Sequence, residues 1–269
     1  KESSGKWTAY NHGSIDPVVN IHDFSAQDKK SAMISANNAL NDELRGFDLA
    51  KAPLIKVVYL KFKKHCEIAL MVHHLLLDMR SCRVILEDLM MNFMAKMSGK
   101  EFDFGYKTSS VGAYLGALNK HILAGDFEDE VKYWSDELSG IEDSTDISES
   151  DMLFEDISFD KKKTKKMLEF AAQNDVTLHE VLLANFAKNY CSIFSKEKII
   201  LNSCFHGRDE FLDGVKISKS VGWFNTVFPI KIEVGKGDIL NYVKNKFKNI
   251  PNRSLNYLPL RFMKKDKRI

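Results

Sequence analysis

The segment Val72-His73-His74-Leu75-Leu76-Leu77-Asp78 holds the residues best suited to moving protons. An imidazole titrates near neutrality, so it can take up a proton and return it. His73 and His74 close an apolar stretch, 66–74, that reads as a strand. Side chains alternate across a strand, so only one of the two rings can face a given cleft, and the other must be packed or hydrogen-bonded. Because adjacent strand positions diverge, the two also make a poor metal pair. Asp78, just past the turn, is placed to cap the next helix and orient the loop. The residues alone leave two readings open: a structural histidine pair or a proton-transfer site.

The surrounding pattern supplies the elements that would hold these groups. A helix is predicted over 26–44, with Asp28 among its first residues. Phe47-Asp48-Leu49 leads through Pro53 into a strand over 54–62, where Ile55, Val57 and Tyr59 alternate with Lys56, Val58 and Leu60. The strand over 66–74 is largely apolar and is expected to be central. After Asp78, Ile85, Leu89 and Phe93 recur every four residues, as do Leu86, Met90 and Met94. This spacing predicts a helix with a buried face.

Further helices are predicted over 114–123 and 129–138, the second stopping at Ser139-Gly140. Residues 141–155 are acidic, Ser-rich and aperiodic, and read as a crossover between lobes. A basic amphipathic helix follows over 161–173. Thr177-Leu178-His179-Glu180 has the capping-box form and should start a mostly buried helix running to about Phe194. Strands over 198–204 and 226–234 and a helix over 238–249 complete the pattern. The interleaving predicts an α/β or α+β fold with an N-terminal lobe (1–140), a crossover (141–159) and a C-terminal lobe (160–269).

Composition narrows the class. Of 269 residues 44% are hydrophobic and 28% charged, with 18 Phe and 10 Met for a core and only five Pro, which excludes a disordered linker. Net charge is +2, and the basic runs at 61–64, 161–166 and 264–268 are balanced by acidic residues and accompanied by no aromatic stacking pattern, so no nucleic-acid partner is expected. No apolar run is long enough to cross a bilayer, and no membrane partner is expected. Cys66, Cys82, Cys191 and Cys204 show no C-x-x-C spacing, so neither a zinc site nor any other metal site is expected, and a reducing, cytoplasmic setting fits. There is no phosphate-binding glycine loop for a nucleotide.

Several motifs in order resemble the condensation superfamily of nonribosomal peptide synthetases. His73-His74-x-x-x-Asp78 resembles its H-H-x-x-x-D-G signature, Phe47-Asp48-Leu49 with Pro53-Leu54 its F-D-L-x-x-x-P-L segment, and Tyr133-Trp134 with Leu138-Ser139-Gly140 its Y-W-x-x-x-L-x-G segment. Other stretches resemble the epimerization subtype: Lys107-Thr108-Ser109-Ser110, Arg83 with 85–89, His206-Gly207-Arg208, 218–224 (S-K-S-V-G-W-F), and Ile250-Pro251-Asn252 with Tyr257, Leu260 and Arg261. The match covers roughly 46–261.

The resemblance implies a two-lobed fold like chloramphenicol acetyltransferase, incomplete here at both ends. It implies no directly bound cofactor. The substrate would be an aminoacyl or peptidyl thioester on the phosphopantetheine arm of a peptidyl carrier protein, with other synthetase modules as further partners. His74 would be catalytic, and Trp223, Phe224 and Tyr257 would be core or tunnel wall. Condensation, or a non-catalytic carrier-binding module, are the alternatives to epimerization.

The chain departs from the family pattern at four positions. Cys204 stands where the family glutamate of E-G-H-G-R-E would be, Met79 replaces the glycine after the motif aspartate, Cys82 replaces a tryptophan, and Lys56 stands where arginine is frequent. Lys56 is the expected ion-pair partner of Asp78, without arginine's fork. Met79 would narrow the tunnel. Cys204 is either a lost acid/base or a thiol proton carrier opposite His74. His206 is expected to hold its loop, and Arg208 to enter an internal ion pair.

Overall fold

A computed structural model of the chain describes residues 2–3, 6–7, 13, 16–140, 156–235 and 237–269. The expected crossover at 141–155 lies outside the described residues. Two compact units are present: Lys1–Val111 with Lys219–Phe224, and Gly112–Ser218 with Asn225–Ile269.

In the first unit, β1 (Glu2–Ser3) pairs with β2 (Lys6–Trp7). Ile55, Val57 and Val58, all β-branched, enter β4 (Ile55–Lys61), the middle of a three-stranded sheet. On one side lies parallel β3 (Val19–Asp23), with Ile21 opposite Tyr59; on the other lies antiparallel β5 (Cys66–Val72), with Ile55 opposite Val72. Alternation buries Val58 and Leu60 on one face, where they pack with Ala36, Met71, Phe47 and Leu40. Helix α1 (Lys29–Arg45) supplies Ala36 and Leu40. Asp28 is its N-cap rather than one of its residues, accepting from the amides of Lys30 and Ser31.

Two expectations for this unit are corrected. Among the described strands the 66–74 segment is an edge, not the centre, and its strand stops at Val72. An apolar run fixes neither burial nor neighbours: only Met71 of this strand is buried, and β3, far away in sequence, takes β4's free side. The amide of His73 makes a last rung to Leu54 O (2.9 Å), and Leu76 N to His73 O then closes a turn. Helix α2 (Met79–Met97) forms as predicted, but Leu86, Leu89, Met90, Phe93 and Met94 are all at least half exposed. Periodicity says which residues share a face, not what covers it.

The second unit is built on α3 (Val111–Ala124), α4 (Glu128–Leu138), α5 (Lys161–Gln173), α6 (Leu178–Ile193) and α7 (Ile239–Lys248) around an antiparallel pair, β6 (Lys198–Phe205) and β7 (Thr226–Glu233). The Thr177–Glu180 capping box is fully formed at the start of α6. Fully buried Trp134, Phe228, Ile232 and Val243 share one core with Ala187 and Tyr257. Each large apolar side chain buried this way contributes about 1.5–3 kcal/mol. The buried Glu137 carboxylate ties three elements together, accepting from Lys231 N of β7 at 2.9 Å and from Lys246 Nζ of α7. The mixed α/β class is as expected. Among the described residues no helix is long and apolar enough to cross a membrane.

Candidate functional site

The turn that ends β5 sets the two histidines differently. His74 Nδ1 lies 3.1 Å from Leu77 O. A carbonyl can only accept, so Nδ1 carries the proton and the neutral ring presents Nε2 as a base. His73 is the reverse: its Nδ1 accepts from Leu75 N at 3.2 Å, which puts the neutral ring's proton on Nε2. The His73 ring stands edge-on to Phe47, with centroids 6.0 Å apart. His74 is exposed, and its ring leans on Trp223 with centroids 4.4 Å apart. One ring is thus packed and the other open, but because both residues lie past the end of β5 it is the turn's hydrogen bonds, not strand alternation, that separate them.

Trp223 comes from the 219–224 segment, which belongs to the same unit as His74. Asp78, fully buried, holds it there. Its Oδ2 accepts Phe224 N at 3.0 Å, and its own amide donates to Gly222 O at 3.1 Å. Oδ1 caps α2 through Ser81 N at 2.8 Å. Ser81 Oγ accepts Gly222 N at 3.0 Å and lies 2.8 Å from both Gly222 O and Asp78 Oδ1, its single proton serving one of them. Gly222 has no room for a side chain, since a Cβ would collide with Val111 Cγ2. Ser220 Oγ lies 2.9 Å from Thr108 Oγ1 and donates to Ser109 O at 2.6 Å. The 107–110 and 218–224 motifs therefore meet beside the histidine turn.

Lys56 does not pair with Asp78 as expected. Its ammonium reaches Glu43 Oε2 at 3.2 Å and Glu43 O at 3.1 Å, and lies 4.8 Å from the Phe47 ring centroid. Asp78 is committed to backbone amides instead, and the cation follows the carboxylate that α1 brings over β4. Burial alone would raise the Glu43 pKa. Hydrogen bonds from Lys56, Asn20 and His22, with the Lys56 charge, outweigh it and hold the carboxyl below the ordinary glutamate range. Met79, the first residue of α2, is exposed, whereas Phe224 is buried.

Cys204, His206 and Arg208 lie in the second unit on the strand end and loop that follow β6. Cys204 is an exposed free thiol opposite Val227. His206 Nδ1 accepts Arg208 N at 3.0 Å, so this ring does hold its loop. Arg208 is buried and donates to Ile217 O at 2.8 Å. Tyr257 is a core residue: its ring lies 4.7 Å from that of Trp134, and its hydroxyl accepts from Arg261 at 3.0 Å.

Two groups of functional interest were missed in the sequence. Ser81 was announced by the Asp-x-x-Ser cap spacing. Arg253 was not announced at all, since it owes its place to three successive left-handed residues, Asn252, Arg253 and Ser254, with φ of 42°, 49° and 61°. None is glycine; Asn252 is of a type that enters this region readily, but Arg253 and Ser254 are not.

Comparison with known proteins places this geometry in a family. The model of the family described as "Condensation domain" matches residues 7–267. The chain is 25% identical over 283 residues to bacitracin synthase 1 of Bacillus licheniformis, a match covering 98% of this chain and 5% of that protein. It is likewise 25% identical over 276 residues to gramicidin S synthase 1 of Brevibacillus brevis, covering 96% of this chain and 25% of that protein. The chain thus spans a quarter or less of the length of these relatives. Its fold is similar to the epimerization domain from the third module of tyrocidine synthetase B (TM-score 0.82, 19% identity, covering all of this chain and 63% of that one). It is also similar to the first condensation domain of the CDA synthetase (TM-score 0.71, 14% identity, covering 88% of this chain and 55% of that one). The family expected from the motifs is therefore the one found, and the chain belongs to the condensation-domain family.

Proposed function

We propose that this chain is an epimerization-type domain of a nonribosomal peptide synthetase, inverting Cα of an aminoacyl or peptidyl thioester. The observation that carries the reading is the commitment of His74 Nδ1 to Leu77 O, which leaves Nε2 as the basic atom on an exposed ring. The thioester is presented on the phosphopantetheine arm of a peptidyl carrier protein, and the other modules of a cytoplasmic synthetase are the further partners. The expected lobe limits at 140 and 160 do not coincide with the compact units, which assign 112–140 to the second and 219–224 to the first.

The chemistry balances as a proton exchange. His74 Nε2 takes the Cα proton, and the C–H electron pair moves into the thioester carbonyl as an enolate. The return of a proton is assigned to the thiol of Cys204, which stands where the family has glutamate. The resulting imidazolium and thiolate reset by exchange with water. Leu77 O, fixed in the turn, stabilises the imidazolium that forms. Met79, Trp223 and Phe224 are assigned to the path of the arm.

Condensation is the second reading, favoured by Cys204: with no carboxylate at that position, one base still suffices to assist an amine attacking a thioester. A carrier-binding module without chemistry is the third, favoured by the exposed Met79 in place of glycine. One experiment separates them. A carrier loaded with an L-aminoacyl group is incubated with the chain in heavy water. Deuterium at Cα with a D/L mixture supports epimerization. A new amide that requires an acceptor amine supports condensation. Carrier binding with neither product leaves the module.

A further inference from the structure

The loop that follows β6 is gripped from outside by the strained turn at Asn252–Ser254. Arg253 Nε lies 3.2 Å from the Asp209 carboxylate, and its guanidinium sits 4.7 Å over the Phe205 ring. Phe205 and Asp209 are the two ends of the segment that carries His206 and Arg208 and begins next to Cys204.

The grip requires its backbone conformation. Left-handed φ at three consecutive non-glycine residues is unfavourable and persists only where surrounding contacts impose it. Those contacts are present. Glu130 Oε1 accepts both Asn252 Nδ2 and Asn256 Nδ2, the latter at 2.9 Å, and buried Ser254 Oγ lies 2.8 Å from Thr226 Oγ1. The turn is thus clamped to α4 on one side and to β7 on the other, and the exposed Arg253 side chain is placed on the loop.

We infer that Arg253 is a positioning residue that fixes the Phe205–Asp209 loop and, through it, the placement of the Cys204 thiol and the His206 ring. Its consequence for catalysis rests on the proton-carrier role proposed for Cys204; its effect on the loop does not.

The test uses the full chain with Arg253→Ala, Arg253→Lys and Asp209→Asn. Amide exchange of residues 205–209 and the alkylation rate of Cys204 by iodoacetamide are both read by peptide mass spectrometry. Arg253→Ala should speed amide exchange about tenfold and change the alkylation rate. Arg253→Lys should fall between, since an ammonium keeps the charge but loses the flat stack and the fork. Asp209→Asn leaves the strained turn intact and should reproduce the faster exchange even if Arg253→Ala does not fold. In the carrier assay Arg253→Ala should lower kcat with KM unchanged. Unaltered amide exchange and alkylation in Arg253→Ala, or in Asp209→Asn where the former does not fold, overturn the inference. Altered exchange in the variants, alongside a parent chain that never incorporates deuterium at Cα, defeats the epimerase reading and leaves the positioning role standing.

Discussion

The Asp78 carboxylate accepts the amide of Phe224, 146 residues further along the chain, while its other oxygen caps the helix that starts at Met79. One buried side chain therefore fixes both the helix behind the histidine turn and the segment that brings Trp223 to His74. Asp78→Ala should cost about 3 kcal/mol, combining a lost cap with a buried amide left unpaired. Asp78→Asn, which keeps an acceptor oxygen, should cost less. Urea unfolding of the three proteins measures the order.

His74→Ala should lower Cα deuterium incorporation by at least about 10²-fold, the usual contribution of a general base. His73→Ala should act mainly on stability, because its ring packs on Phe47 and its Nδ1 supports the Leu75 amide. Carrier-assay rates and thermal unfolding of both variants give the contrast.

Replacing Trp223 separates orientation from stability. Its ring is 44% exposed, so Trp223→Ala should change unfolding little, yet it removes the surface on which the His74 ring leans. A fall in kcat of about tenfold without a comparable loss of stability is expected.

Cys204→Ala should suppress exchange strongly if the thiol returns the proton. In Cys204→Glu a carboxyl replaces the thiol, so the pH–rate profile should change shape if this group takes part in the proton transfer and stay as in the parent if it does not. Profiles of the parent and both variants provide the check.

Asp266 supplies a pH test of folding. Hydrogen bonds from the Arg268 side chain and amide lower its pKa from 3.8 to about 2. A carboxyl lowered in the folded chain contributes stability above its unfolded pKa and loses it as pH falls through the folded value. Asp266→Asn should therefore reduce stability at pH 5 and flatten its decline between about pH 4 and 2, as followed by urea midpoints across that range.

Local signals in the sequence were read with good accuracy. The Thr177–Glu180 box, the Asp78 cap and the Lys161–Gln173 helix are determined within a few residues of themselves, and each forms where its pattern predicts. What failed was non-local. Nothing near Lys56 could reveal that α1 would deliver Glu43 to it, and nothing in the 66–74 run could reveal that β3 would pair with β4 from the other side. At the site, the histidine motif was legible as a motif, but the opposed tautomers were not, because they depend on the turn carbonyl of Leu77 and the amide of Leu75. Arg253 stayed hidden because its position comes from backbone strain.

The first unit is not a contiguous stretch: its last six residues, Lys219–Phe224, are reached only after most of the second has been made. A ribosome emitting this chain from its N-terminus would expose the histidine turn long before Trp223 and the Phe224 amide exist to meet it. The nascent 1–111 stretch must therefore wait, with Asp78 still lacking its distant amide, until residue 224 has emerged. Assembly of the reactive corner is in that sense gated by the emergence of residues 219–224, and a chain truncated before residue 219 would carry the histidines without the indole that steadies the second of them.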